Sequence, residues 1–308
     1  MSNKSHFFRQ SSGGGGEPFI ATFRTTTLNE SITLPYLSNG VYSGTIDWGD
    51  GTVVANTYAN RTHSYVNSGD YDITVLGECV GFSSVNNLKI INIKQWGNGF
   101  RLIDNVNGSY FYGNQNLDIT ATDTLNLEGI TGFKFFFYTN TNLVFNDSIN
   151  NWNTSSAQTM DNVFRLDKLF NQPLNNWDVS NVTTMVNMFF DAEDFNQPLN
   201  NWNTSNVTTM NNMFAYADDF NQDISSWNFS GLNLSNALQN FIRGGVYDAN
   251  YYDNLLIKWA SDPSLGGLQP NIIGTIDVRH KYTANGASAR ASILANNKAQ
   301  TINDGGQI

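Results

Sequence analysis

Residues 145–164 read FNDSINNWNTSSAQTMDNVF, 170–189 read FNQPLNNWDVSNVTTMVNMF, 195–214 read FNQPLNNWNTSNVTTMNNMF, and 220–230 open a fourth copy, FNQDISSWNFS. Phe145, Phe170, Phe195 and Phe220 recur every 25 residues, and Trp152, Trp177, Trp202 and Trp227 keep the same interval. Met160, Met185 and Met210 do so too, as do Phe164, Phe189 and Phe214. A fixed period in this range is how a stacked repeat array is written in sequence, because a single copy cannot bury its apolar face alone.

Within one copy, Val182, Met185, Met188, Phe189, Ala192 and Phe195 fall at steps of three or four. That spacing predicts a helix, with Ser180 placed to cap its start. Ahead of it, Leu174, Trp177 and Val179 predict a short strand. Each copy sends two phenylalanines, a tryptophan and a methionine inward. At ~25 cal/mol per Å2 and roughly 150–250 Å2 per aromatic, such burial holds copies to one another. The asparagines of NQPLNNW and SNVTT are expected to form ladders, each amide bonding the copies on either side. The triplets starting at Asn181 and Asn206 look like glycosylation sequons, but they follow from the repeat.

The period continues towards the N-terminus in degraded form, from about Val80 to Val144. Ile130, Phe133, Phe136 and Phe137 match the spacing of Val182, Met185, Met188 and Phe189, and Leu125 stands where Trp177 stands. Trp96 and Phe111 look like an older copy with insertions. The composite pattern resembles the leucine-rich repeats of BspA-like bacterial surface proteins. That resemblance implies an α/β leucine-rich-repeat solenoid over residues 81–245 and a surface-exposed, adhesive role.

Residues 17–80 alternate in the manner of short strands between turns. Trp48-Gly49-Asp50-Gly51, His63-Ser64-Tyr65 and Gly69-Asp70-Tyr71-Asp72-Ile73 resemble the marks of a PKD-type immunoglobulin-like domain. This implies a β-sandwich with Trp48 in its core and positive φ at Gly49 and Gly51. Beyond the repeats, residues 246–308 carry helical apolar spacing at Tyr252, Leu255, Leu256 and Trp259. A second helix candidate lies in GASARASILANN, and a strand in TINDGGQI. Arg290 and Asp277 are read here as salt-bridge or hydrogen-bonding groups of a cap over the last copy. The expected fold is therefore multi-domain: an N-terminal PKD/Ig-like β-sandwich, the α/β solenoid, and a C-terminal α+β cap.

Residues 1–16 end in Ser11 to Gly16, a glycine-rich tether, preceded by Phe7, Phe8 and Arg9. This arm is either a disordered tail or a docking peptide that anchors the body to a partner. The chain has 308 residues and a formal net charge of −10, with few and scattered basic residues. Nucleic acid as a partner is not expected, since phosphate contacts need clustered Lys and Arg. No apolar run is long enough for a membrane span, and MSNKSHFFRQ lacks the apolar core of a secretory signal. The single cysteine, Cys79, allows no internal disulfide and no cysteine metal cluster.

Candidate chemistry is sparse. Asp47 and Asp50 are too few for a calcium site and are read as turn caps. His6, His63 and His280 lie in different regions, and His63 is read as a packed, hydrogen-bonded side chain. The carboxylate pairs Glu193-Asp194 and Asp218-Asp219 recur at one corner of the repeat. No hydrolase, zinc-protease or phosphate-loop motif appears. The expectation is a non-enzymatic structural or adhesion protein without a cofactor. Its partners would be virion capsid or tail proteins through Phe7, Phe8 and Arg9, with host glycans or surface proteins and self-association as further possibilities. Its place would be the virion surface, the alternative being a bacterial cell surface.

Overall fold

The computed structural model describes residues 16–233, 236–245, 247–262, 265, 274–277, 280–296 and 298–308. The first strands are β1 (Phe19–Thr25), β2 (Glu30–Thr33), β3 (Tyr36–Tyr42) and β4 (Thr45–Asp47). Then come β5 (Val53–Ala55), β6 (Thr62–Tyr65), β7 (Gly69–Leu76) and β8 (Cys79–Phe82). Phe19, Ala21 and Phe23 alternate inward along β1, which pairs antiparallel with β7. Trp48 follows β4 and is buried, and the Tyr65 hydroxyl donates to its carbonyl at 2.8 Å. The turn after it needs glycine: Gly49 has φ +79°, and a Cβ there would lie 2.7 Å from the Asp72 carbonyl.

The sheet does not stop near residue 80. Strands β9 (Ile90–Gln95) and β11 (Asp118–Ile119) extend it, giving the order β11-β9-β1-β7-β4-β5. A smaller sheet joins β10 (Phe100–Arg101), β8 and β3, and β2 pairs with β6. Phe19 stacks on Phe100 at 4.5 Å between ring centres, so the two regions share one core.

Over the repeats the structure corrects the sequence reading. The expected α/β leucine-rich-repeat solenoid is not formed: the fold is mainly β, in several open sheets. The described residues contain two α-helices, both C-terminal, and one short 3-10 helix at Asp147–Asn151. Neither the helix predicted over Val182–Phe195 nor the strand before it exists.

The backbone explains why. Met188, Phe190, Ala192 and Phe195 each donate three residues back, to Met185, Asn187, Phe189 and Ala192. Met185, Asn187, Phe189 and Asp191 instead donate to Thr209, Asn211, Met213 and Ala215 in the next copy. The chain is a run of turns whose alternate amides bond outward. Asn187 and Asp191 have φ of 54° and 58°, which breaks any helix at both positions. A succession of turns yields the same spacing of three and four that a helix does.

Besides these alternate amides, copies are joined by parallel bridges, Gly132 to Thr159 to Thr184 to Thr209. Side chains add to the stack. Phe164, Phe189 and Phe214 lie face to face at 5.6 and 5.4 Å. Trp177, Trp202 and Trp227 donate through Nε1 to the carbonyls of Ile149, Leu174 and Leu199 at 2.8–3.0 Å. Asparagine ladders occur at Asn171, Asn196 and Asn221. Another set, unforeseen from sequence, runs Asn162–Asn187–Asn212–Asn240, with Nδ2 to Oδ1 distances of 3.1 Å.

Helix α1 (Ala249–Ser261) closes the end, with Trp259 edge-on to Phe229 and Phe241. Asp248 caps its start, and Lys298 Nζ donates to the carbonyls of Trp259, Ala260 and Asp262 at its end. Strand β12 (Gly274–Asp277) pairs parallel with β13 (Ala299–Asn303), and α2 (Ala284–Ala295) lies between them in the chain. Asp253 accepts from Thr283 at the start of α2, and a Cβ on Gly286 would lie 2.2 Å from its Oδ1.

Candidate interaction surface

The residues singled out in the sequence have structural roles or lie outside the described set. Phe7, Phe8 and Arg9 lie outside the described residues. Asp47 Oδ1 accepts from the Gly49 amide and Asp50 Oδ1 from the Thr52 amide, each closing the turn two residues on. Asp50 Oδ2 also meets His63 Nε2 at 2.7 Å, and the His63 ring stacks on Trp48 at 5.2 Å. Arg290 pairs with Asp304 at 2.7 Å and donates to the Ile302 carbonyl, while the side chain of Asp277 lies outside the described set.

At the acidic corner, Lys168 pairs with Glu193 and lies 3.8 Å from Asp191. Two shallow clefts flank the exposed Asn151. One of about 480 Å3 includes Asn98, Asn126, Glu128 and Asn153; the other, of about 590 Å3, includes Asn146, Asp147, Ser148 and Gln172. Each holds one carboxylate, so neither cleft assembles the facing pair that glycoside hydrolysis uses.

Another surface runs the length of the stack. The position after each inward phenylalanine carries Tyr112, Tyr138, Arg165 and Phe190 in successive layers; in the next layer it is the buried Ala215, and Tyr216, one residue on, and then Arg243 continue the surface. The Tyr112 and Tyr138 rings lie 5.1 Å apart. The Arg165 guanidinium lies 5.3 Å from the Tyr138 ring centre and 4.9 Å from that of Phe190. Phe190 meets Tyr216 edge to face at 5.3 Å, and Arg243 lies over Tyr216 at 5.3 Å. The ribbon is half-buried along most of its length, and Tyr216 is 37% exposed.

This ribbon follows from the turns. With alternate amides bonded to the next copy, the layers stand one strand spacing apart, roughly 4.8 Å. Equivalent side chains therefore stack directly. The sequence reading followed the invariant inward ring and passed over its variable neighbour. The available signal was that this neighbour is aromatic or arginine in four successive copies.

The arginine in the middle has unusual surroundings. No described residue hydrogen-bonds or ion-pairs with the Arg165 guanidinium, and its Nε is buried without a partner. Asp167, two residues on, is fully buried, and burial pushes its carboxyl well above the usual range, so it does not offer a counter-charge. Asp191 and Glu193 face Lys168 instead.

Residues 131–244 match a family model described as a Mycoplasma protein of unknown function, DUF285. The chain matches no curated protein and no solved structure.

Proposed function

We propose that the protein is a non-enzymatic structural or adhesion component displayed on a surface, where its layered body presents one continuous ribbon of side chains to a partner. The observation that carries this reading is the half-buried ribbon from Tyr112 to Arg243, in which four successive layers place an aromatic or an arginine at one position and Tyr216 and Arg243 extend the row. Stacked layers suit extended ligands because each layer adds a contact. Paired charged groups are engaged in turns and helix contacts: Asp50 with His63, Arg290 with Asp304, Asp253 with Thr283.

The placement proposed is a virion surface, as a head-decoration, fibre or receptor-binding component. Attachment would run through Phe7, Phe8 and Arg9 to capsid or tail proteins. Two buried phenylalanines contribute on the order of 3–6 kcal/mol, so several arms acting together would be needed. The resemblance to BspA-like proteins supports a second reading, a bacterial cell-surface adhesin.

Antibody labelling of intact particles and intact cells, with and without residues 2–12, tests both. Labelled particles that lose the protein on truncation support the first reading. Labelled cells support the second, and a protein found on neither surface contradicts both.

A further inference from the structure

Resting on the reading of a displayed adhesive surface, we infer that the ribbon centred on Arg165 binds a sparsely carboxylated polysaccharide, with the guanidinium gripping a carboxylate and the tyrosines lining the sugar chain. Three observations define the ligand.

The first is the arginine. Its Cζ lies over the Tyr138 and Phe190 rings at 5.3 and 4.9 Å, so the side chain is packed at the ribbon before any ligand arrives. Nε is buried and unpaired, whereas the two Nη groups are not among the buried unpartnered atoms and bond to no described residue. They form the solvent-facing end. A stacked guanidinium with two free N–H groups side by side fits a carboxylate in a two-bond fork.

The second is the shape of what surrounds it. Tyr112 and Tyr138 lie 5.1 Å apart on one side of Arg165, and Phe190 and Tyr216 lie 5.3 Å apart on the other, together carrying three phenolic hydroxyls. No described residue bonds those hydroxyls. An extended chain with hydroxyls along its length and C–H groups on its faces can use both features at every step. Backbone amides of the layers are bonded to neighbouring layers, so the ribbon offers no free strand edge to a peptide.

The third is charge. The chain carries −10 overall, Asp191 directly follows Phe190 of the ribbon, and Asp191 and Glu193 share Lys168. A densely charged polyanion or a strongly acidic peptide is repelled by that field, whereas isolated carboxylates reach Arg165 at little cost. Salt weakens the attraction to the guanidinium and the repulsion by the corner alike.

The test uses the full chain and a panel of hyaluronan, alginate and polysialic acid oligosaccharides, with carboxyl-reduced hyaluronan and poly-L-glutamate as controls. Calorimetry or biolayer interferometry reads the affinity. Hyaluronan, with one carboxylate per disaccharide, should bind, its carboxyl-reduced form at least tenfold more weakly, and alginate and polysialic acid, with one on every residue, more weakly than hyaluronan. Arg165→Gln should lose at least tenfold, and Arg165→Lys should recover only part, since an ammonium cannot form the fork. Tyr138→Phe keeps the ring under Arg165 and should lose two- to fivefold. Unchanged thermal midpoints show that these losses are not unfolding.

Four results overturn the inference: hyaluronan does not bind, alginate or polysialic acid binds as tightly as hyaluronan, the carboxyl-reduced form binds equally, or Arg165→Gln binds as wild type. Equal or tighter binding of poly-L-glutamate overturns it in favour of an acidic peptide. These outcomes are separate from surface display. A displayed protein that binds none of the polymers sinks this inference alone, and an Arg165-dependent binder absent from every surface sinks the display reading alone.

Discussion

The backbone N–H of Asn140 donates to Oδ1 of Asp167 at 2.7 Å, and one layer earlier Asn114 donates in the same way to Oδ1 of Asn140 at 2.6 Å. Asp167 thus occupies an asparagine's place in a buried ladder. Asn114 and Asn140 also donate through Nδ2 to the carbonyls of Ser84 and Phe111, whereas Asp167 Oδ2 is buried without a partner. Only a protonated carboxyl could donate there.

Asp167→Asn should therefore stabilise the protein near neutral pH, by about 1–3 kcal/mol, the cost of a buried polar atom left without a partner. The sign is fixed by the raised folded-state value: above the ordinary carboxylate range, the folded chain holds a proton that the unfolded chain has lost. Wild-type stability falls as pH rises from about 4 through the folded value, and the gain from asparagine grows with it. Midpoints of both proteins across this pH range check it. A difference that shrinks with rising pH would contradict it.

His280 should act in the opposite direction. Its Nδ1 accepts from the Tyr247 amide at 2.9 Å, and its Nε2 lies 2.9 Å from the Ile242 carbonyl, which fixes the neutral ring with the proton on Nε2. Burial lowers its pKa, so the unfolded chain binds the proton more readily. Stability should drop as pH falls below about 6.5, the unfolded value. His280→Gln, though less stable at pH 7, should show a flatter profile over the interval just below it. Equal slopes would show that the drop has another origin.

Asn187 joins two demands in one residue. It takes φ 54°, and its side chain bridges Asn162 and Asn212 at 3.1 Å on each side. Asn187→Ala should cost roughly 2–3 kcal/mol, the left-handed penalty and the lost amide bonds together. Asn187→Gly keeps the backbone and should cost about 1 kcal/mol less than alanine. Denaturant midpoints measure both, and an alanine variant at least as stable as glycine would remove the backbone contribution.

These positions show what could be read in the sequence and what could not. The 25-residue period and the inward Phe, Trp and Met were legible because burial repeats with the layer. The local backbone was misread: steps of three and four at Val182, Met185 and Phe189 belong equally to a helix and to a run of turns. The discriminating residue was Asn187, a poor helix former tolerant of positive φ and placed alike in each copy as Asn162, Asn212 and Asn240. The ribbon around Arg165 was passed over because its residue types vary. Its unity lies in the stacking of layers, which no single copy displays.

Trp202 is the test of packing between layers. It is buried, stacks on Trp227 at 5.9 Å and donates to the Leu174 carbonyl. Trp202→Ala should lose about 3–5 kcal/mol through transfer and cavity costs. Trp202→Phe restores most of the area while leaving the carbonyl of Leu174 without its donor, and should lose roughly half as much. Equal losses would mean that the hydrogen bond, and not the buried area, dominates.

The central structural claim is that each copy is a run of turns bonded to its neighbour, and one measurement addresses it directly. Scalar coupling across hydrogen bonds in the deuterated, isotope-labelled protein identifies which carbonyl accepts from a given amide. The Asn187 nitrogen should couple to the carbonyl carbon of Asn211, in the next copy, at an N–O separation of 2.9 Å. Coupling to the carbonyl of Thr183, four residues back, would restore the helix and contradict the layered account.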